Sequence, residues 1–143
     1  MNVLTILNQK GRDVVTIAPD CTVQNAAEIL TRQKIGSVVV SAGEGRIDGI
    51  LSERDIVHAI AGGGKDVLAR PISDFMTSPV KTCSINDTVE VLMTVMTGRR
   101  FRHLPVEEDG RLCGIVSIGD VVKQRIAEAE MIAKAMQEYI ATG

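Results

Sequence analysis

The amino-acid sequence predicts a mixed α/β (α+β) fold: two tandem β-α-β-β-α repeats followed by an extended C-terminal helix. Three observations predict it. First, the chain writes one stretch twice, as Gly49-Ile50-Leu51-Ser52-Glu53-Arg54-Asp55 and as Gly114-Ile115-Val116-Ser117-Ile118-Gly119-Asp120. Each copy reads Gly, two branched apolar residues, Ser, two variable positions and Asp. Second, the match extends upstream. Thr16, Thr22, Val23, Thr31 and Val40 find identical partners in Thr82, Thr88, Val89, Thr97 and Val106 at one fixed offset. After one residue is dropped in the intervening turn, Gly45-Arg46 aligns with Gly110-Arg111, and Val57 with Val122. Third, helical apolar spacing alternates with short β-branched runs in the same order in both halves.

Residues 1–12 form a lead-in, where Val3, Ile6 and Leu7 share one side of a turn or two of helix and Gly11 stops it. The first repeat takes residues 13–64. Val14 to Ile17 is a short strand, closed by the turn signal Pro19-Asp20. Thr22 stands at a helix N-cap, and Val23, Ala26, Ala27 and Leu30 give residues 23–33 an apolar face. Gly36 to Val40 is an unbroken strand, Ala42 to Gly45 a hairpin turn, and Ile47 to Leu51 the returning strand. Ser52 caps a helix carrying Ile56, Val57 and Ile60, which stops at Gly62-Gly63-Gly64.

A linker, residues 65–78, holds one short helical turn at Ile72 to Met76, between Pro71 and Pro79. The second repeat, residues 79–127, copies the first. Val80 to Cys83 is a strand, Thr88 a cap, and Val89, Leu92, Met93 and Met96 a helix face. His103 to Val106 and Leu112 to Val116 are strands around the turn Glu108-Asp109-Gly110, and Pro105 implies an edge position or a tolerated gap in the ladder. The last helix runs on through residues 128–143. Val122, Ile126, Ala129, Ala133, Met136 and Ile140 keep an a/d rhythm, which fits packing on the chain's own surface or, preferably, a seam against a second subunit.

Composition narrows the function classes. Aromatic residues make up 2% of the 143 residues and Trp is absent, so the core is aliphatic and no aromatic run offers a stacking platform for single-stranded nucleic acid. The net charge of −2 also argues against general phosphate-backbone binding. Cys21, Cys83 and Cys113 lack metal-ligand spacing and read as reduced thiols of a cytoplasmic protein. No stretch is long enough to span a bilayer, so no membrane partner is expected. No P-loop, nucleophile elbow or metal motif occurs, and His58 reads as a structural mid-helix residue, so no catalysis and no metal are expected.

The plain reading of Ser-x-x-Asp is a capping box, in which two side chains satisfy orphan N–H groups at a helix start. Three features reach further. The motif follows a strand opened by Gly, the acid is Asp in both copies, and Arg54 places a cation at a helix N-terminus, against the dipole. An anion recruited to that end would explain the arginine. A second cluster, Arg99-Arg100-Phe101-Arg102-His103, precedes the strand at Leu104, and guanidinium is well matched to phosphate. For Arg99 a solvated surface explains the residue as well as a site does.

Taken together, the tandem β-α-β-β-α units, the closing Gly-Ile-Val/Leu-Ser-x-x-Asp and the Arg-His-Leu-Pro-Val of the second copy resemble the paired CBS domains of a Bateman module, over about residues 13–130. The resemblance implies two repeats packed sheet to sheet about a pseudo-twofold, with two clefts for adenosine-containing ligands. It implies that the motif Asp takes ribose hydroxyls and the motif Ser lies near ribose or phosphate. Carried onto this chain, one cleft joins Ser52, Arg54 and Asp55 to Thr82, Cys83, Arg100, Phe101, Arg102 and His103. The other joins Ser117, Gly119 and Asp120 to Thr16, Ile17, Ala18, Ile35, Gly36 and Ser37. The first, with four candidate cations, suits a charged nucleotide. The second is nearly uncharged apart from Asp120.

The leading expectation is a non-catalytic regulatory module that binds AMP, ADP, ATP or NAD(H), with AMP foremost, and signals to a partner protein as a homodimer. The alternative is a ligand-free dimeric scaffold whose Ser-x-x-Asp motifs are only caps.

Overall fold

The structure, a computed structural model, describes residues 1–99 and 101–142. Both repeats build a three-stranded sheet in the same way. In the first, β1 (Thr16–Ile17) runs parallel to β2 (Ser37–Val40), which runs antiparallel to β3 (Gly49–Ser52). In the second, β4 (Cys83–Ser84), β5 (His103–Glu108) and β6 (Arg111–Ser117) take the same order and directions. Parallel neighbours need a crossover. Helices α2 (Val23–Gln33) and α4 (Val89–Arg99) supply it, each started by a threonine whose hydroxyl accepts a backbone N–H, Thr22 from Asn25 and Thr88 from Val91, both at 3.1 Å. Helix α3 (Glu53–Gly63) follows β3, and α5 (Ile118–Thr142) follows β6. The mixed α/β class, the five helices and the long final helix agree with the sequence reading.

The lead-in segments exchange sheets. Helix α1 (Val3–Lys10) packs onto the second repeat, where Val3, Ile6 and Leu7 join Val89, Leu92, Met96, Leu104 and Val116 in one core. The linker does the same for the first repeat: buried Ile72, with Phe75 and Met76, closes the core of Val23, Leu30, Val38 and Leu51. This exchange explains the glycine that opens each motif. A Cβ on Gly49 would lie 2.5 Å from Met76 Sδ, and one on Gly114 would lie 2.7 Å from Leu7 Cδ2. The space they leave is filled by the chain's own lead-in side chains.

Pro105 sits in the central strand of its sheet, opposite Ile115, so the edge position is set aside. In the first sheet the Val39 N–H donates to the Val15 carbonyl at 3.3 Å. The corresponding bond from Pro105 to Lys81 cannot form, because proline has no N–H. Strand β4 accordingly begins only at Cys83, and the chain at Val80-Lys81 is free to leave the sheet.

The two repeats touch where the Gly45 carbonyl accepts the Leu112 N–H at 2.9 Å, and where Gly36 faces the His103 ring. Beyond its first turns α5 leaves this body. Only Val121 and Gln124 of α5 are buried, and the seam residues Ile126, Met136 and Ile140 are 55–74% exposed. Packing of that seam across the chain's own surface is therefore not what the helix does.

Candidate functional site

Strand β3 ends at Ser52 and α3 begins at once, so the motif turn must satisfy the first N–H groups of a helix. Asp55 Oδ2 accepts the Ser52 N–H at 2.9 Å and the Ser52 hydroxyl at 3.1 Å, while the Asp55 N–H donates to Ser52 Oγ at 3.2 Å. The capping box is complete. Its geometry occupies one carboxylate oxygen, and among the described residues Oδ1 has no partner.

Capping does not turn Asp55 away from the inter-repeat groove. Ser52, Arg54 and Asp55 line a cavity of about 640 Å³ together with Phe101, Arg102 and His103 of the other repeat. That volume falls within the few hundred to a thousand cubic ångströms usual for small-molecule sites. Arg100 lies outside the described residues. Thr82 and Cys83 do not line the cavity. The Thr82 hydroxyl donates to Glu107 Oε2 at 3.0 Å, and Cys83 is buried in the core of the second repeat. Burial, then the nearby Asp87 and Cys113, push its thiol up to about 12. Their place is taken by Thr77, Val80 and Lys81, where Pro105 has released the chain from the sheet.

Gly36 and Ser37, assigned from the sequence to the second cleft, line this first cavity instead. The register explains it, since Ser37 pairs directly with Ser52 across the β2–β3 ladder. Ser37 is 6% exposed and its hydroxyl has no hydrogen-bond partner among the described residues. A buried hydroxyl left unpaired is costly, and here it borders an open cavity where a bound molecule can supply the missing bond. His58, read as structural, also lines the wall.

Charge in the cavity is lopsided. Arg54, Lys81 and Arg102 make no ion pair among the described residues, and they line the cavity together with the carboxylates of Glu53 and Asp55. His103 is half-buried between the repeats. Burial, and next the charge of Lys10, hold its imidazole below the ordinary 6.5; Arg102 adds to this, while Asp120 and Glu53 oppose it. An anion bound beside Arg102 would act against that lowering.

The second motif makes the same cap. Asp120 Oδ2 accepts the Ser117 N–H at 2.9 Å, and the Asp120 N–H donates to Ser117 Oγ at 3.2 Å. It differs in what reaches it. Lys10 Nζ lies 2.7 Å from Asp120 Oδ2 and also donates to the Ile115 carbonyl at 3.1 Å. Burial tends to raise the Asp120 carboxyl, but the hydrogen bonds from Lys10 and Ser117 outweigh it and hold the group below the ordinary carboxylate value. The expectation of a cleft uncharged apart from Asp120 is corrected by Lys10. Of the other residues assigned there, Gly119 is exposed beside the cap, Ile17 is buried in the first repeat's core with Ile35 packed against it, and Thr16 and Ala18 are exposed.

The description of the CBS domain matches residues 11–62 and 72–127, most of the chain. The chain belongs to the CBS-domain family. It is a CBS pair, two such domains in tandem. Its fold is similar to that of the CBS-domain containing protein ATU1752 from Agrobacterium tumefaciens, with a TM-score of 0.85 and 52% identity over 87% of this chain and 99% of that one. The CBS domain-containing protein CBSX3, mitochondrial, of Arabidopsis thaliana is 35% identical over 96% of this chain and 71% of its own length. The CBS domain pair of protein MJ0100, solved with 5′-methylthioadenosine and S-adenosyl-L-methionine, is 25% identical over 87% of this chain and 98% of that one, with a TM-score of 0.77. No described helix is long and apolar enough to cross a membrane, and no group of metal-binding side chains occurs among the described residues.

Proposed function

We propose that this CBS pair binds an adenosine-containing nucleotide in the cleft at Asp55 and signals its occupancy to a partner protein, without catalysis. One observation carries the reading: Arg54, Lys81 and Arg102, without ion-pair partners among the described residues, line a single cavity with the Asp55 carboxylate, an arrangement suited to a sugar diol joined to a phosphate. Asp55 Oδ1 accepts from ribose hydroxyls while Oδ2 keeps the helix cap. Arg102, Arg54 and Lys81 hold phosphate, and the Ser37 hydroxyl gains the partner it lacks. The adenosine compounds bound by the MJ0100 pair support the nucleoside part. The cations favour AMP, ADP, ATP or NAD(H) over an uncharged nucleoside.

Titration calorimetry with AMP, beside adenosine as the uncharged control, tests this. AMP is expected to bind and adenosine to bind more weakly. No heat from AMP, or an Asp55→Ala variant binding as well as wild type, sinks it.

A second reading is favoured by the exposed stripe of α5, where Met131, Ile132, Met136, Tyr139 and Ile140 are 60–79% exposed. It makes the chain a homodimer in which a second copy covers that surface, of which Met136 and Ile140 belong to the a/d rhythm. Light scattering on wild type and on Met136→Glu is the check. A wild-type monomer at micromolar concentration removes it. If the dimer forms and no nucleotide moves the melting temperature, the scaffold reading replaces the nucleotide one.

A further inference from the structure

We propose that Pro105 is a positioning residue for the Asp55 cleft: by withholding one N–H from its sheet, it keeps Lys81 in the cavity, where the ammonium holds the phosphate of the ligand. The inference rests on the nucleotide reading of that cleft and goes beyond it to the residue that secures one of its cations.

The chain carries its own control, because the first repeat has an N–H at the matching position. Val39 corresponds to Pro105 and Val15 to Lys81, at the same fixed offset as Thr16 and Thr82. The Val39 N–H donates to the Val15 carbonyl at 3.3 Å, and that ladder opens with the pair Thr16 and Val39. Held there, Val15 packs against the first repeat's core. In the second repeat the matching pair, Thr82 with Pro105, is absent, and the ladder opens one residue later with Cys83 and Val106. Lys81 is exposed there and lines the cavity with Asp55 and Arg102.

The proline and the lysine depend on each other. A lysine held as Val15 is held would be aimed at the apolar core of Leu104, Val106 and Val116, where an ammonium is costly. Proline removes the bond that would hold it so. On its other side Pro105 keeps its place opposite Ile115, so the β5–β6 ladder is undisturbed. Exchanging a bonded valine for a proline therefore turns a core position into a cavity position. A compact, flexible cation placed there can meet an anion.

Calorimetric titration with AMP and with adenosine on the full chain tests this, using wild type, Lys81→Met, Pro105→Val and the double variant, each first shown by circular dichroism to be folded. Valine is chosen because the first repeat has it, and Pro105→Ala introduces the same N–H if the valine variant does not fold. Lys81→Met is expected to weaken AMP about tenfold, as the loss of one charged hydrogen bond does, and to leave adenosine unchanged. Pro105→Val is expected to weaken AMP to the same degree, again sparing adenosine, and the amide it introduces should be protected from hydrogen exchange. The two losses should not add in the double variant, because the lysine has already left the cavity. AMP binding unmoved by the proline substitution, equal losses for AMP and adenosine, or fully additive losses overturn the role of Pro105 while leaving the Asp55 cleft intact. Failure of both proline variants to fold makes Pro105 a residue of the fold alone and overturns it as well. Silence with AMP in wild type overturns the nucleotide reading and this inference together.

Discussion

The two repeats share strands, directions, threonine caps and the Ser-x-x-Asp box, yet their motif carboxylates meet opposite fates. Asp55 lines a cavity whose cations make no ion pair among the described residues, whereas Asp120 is already paired with Lys10. Duplication fixed the frame, in which a helix start places an acid beside a groove. The charge at each motif is set by residues that the two copies do not share, by Arg54, Lys81 and Arg102 in one case and by Lys10 of the lead-in helix in the other. Identical motifs therefore do not make identical sites.

The comparison extends to the lead-ins, and the largest expected effect lies there. Leu7 is 1% exposed in the second repeat's core, whereas its counterpart Met76 is only partly buried against the first. Leu7→Ala should cost about 2–5 kcal/mol in urea unfolding, the range for large-to-small core changes, and Met76→Ala clearly less. Equal costs would mean that the two lead-ins carry equal weight. Next come the carboxylates. Asp55→Asn keeps an oxygen for the cap but loses the charge, so AMP affinity should fall about 10- to 150-fold, the worth of a charged hydrogen bond of about 1.5–3 kcal/mol. Asp120→Asn should leave AMP affinity unchanged within about threefold, a difference of about 0.6 kcal/mol. Arg102→Ala should weaken AMP about tenfold while leaving adenosine unaffected, which separates phosphate recognition from nucleoside recognition.

The smallest effect is one of pH. The folded His103 value lies below 6.5, so the unfolded chain takes the proton first. The contribution of neutral His103 to stability is thus complete above pH 6.5 and is lost as pH falls through 6.5 toward the folded value. A phosphate beside Arg102 acts in the opposite direction, because its negative charge favours the imidazolium. AMP should bind a few-fold tighter at pH 6 than at pH 7.5, with proton uptake seen as a buffer-dependent heat. In His103→Asn the profile should flatten.

Local chemistry made much of this legible in the sequence. Caps, strand-helix alternation and the repeated motif depend on neighbours within a few positions, and the residues at 23–33, 37–40 and 53–63 behave as their spacing predicts. Ser37 could have been placed correctly from the hairpin alone, since pairing Val40 with Gly49 sets Ser37 against Ser52. Lys81 offered a fainter signal, a cation inside the apolar run Val80-Lys81-Thr82-Cys83. The pairing of Lys10 with Asp120 had no local signal. The partners stand 110 positions apart and meet only because α1 docks on the distant repeat. Pro105 gave the right warning of a gap in the ladder, but its effect appears on Lys81, in a strand that sequence reasoning treated as intact.

The continuity of β6, the Asp120 turn and α5 has a mechanical consequence. At about 1.5 Å per residue, the part of α5 beyond buried Gln124 makes a rod about 27 Å long whose base is the packed turn after Asp120. Tilting such a rod by about 5° at its base swings the far tip by about 2 Å. Sub-ångström rearrangements around Asp120 thus arrive at Tyr139 and Ile140 magnified by simple leverage.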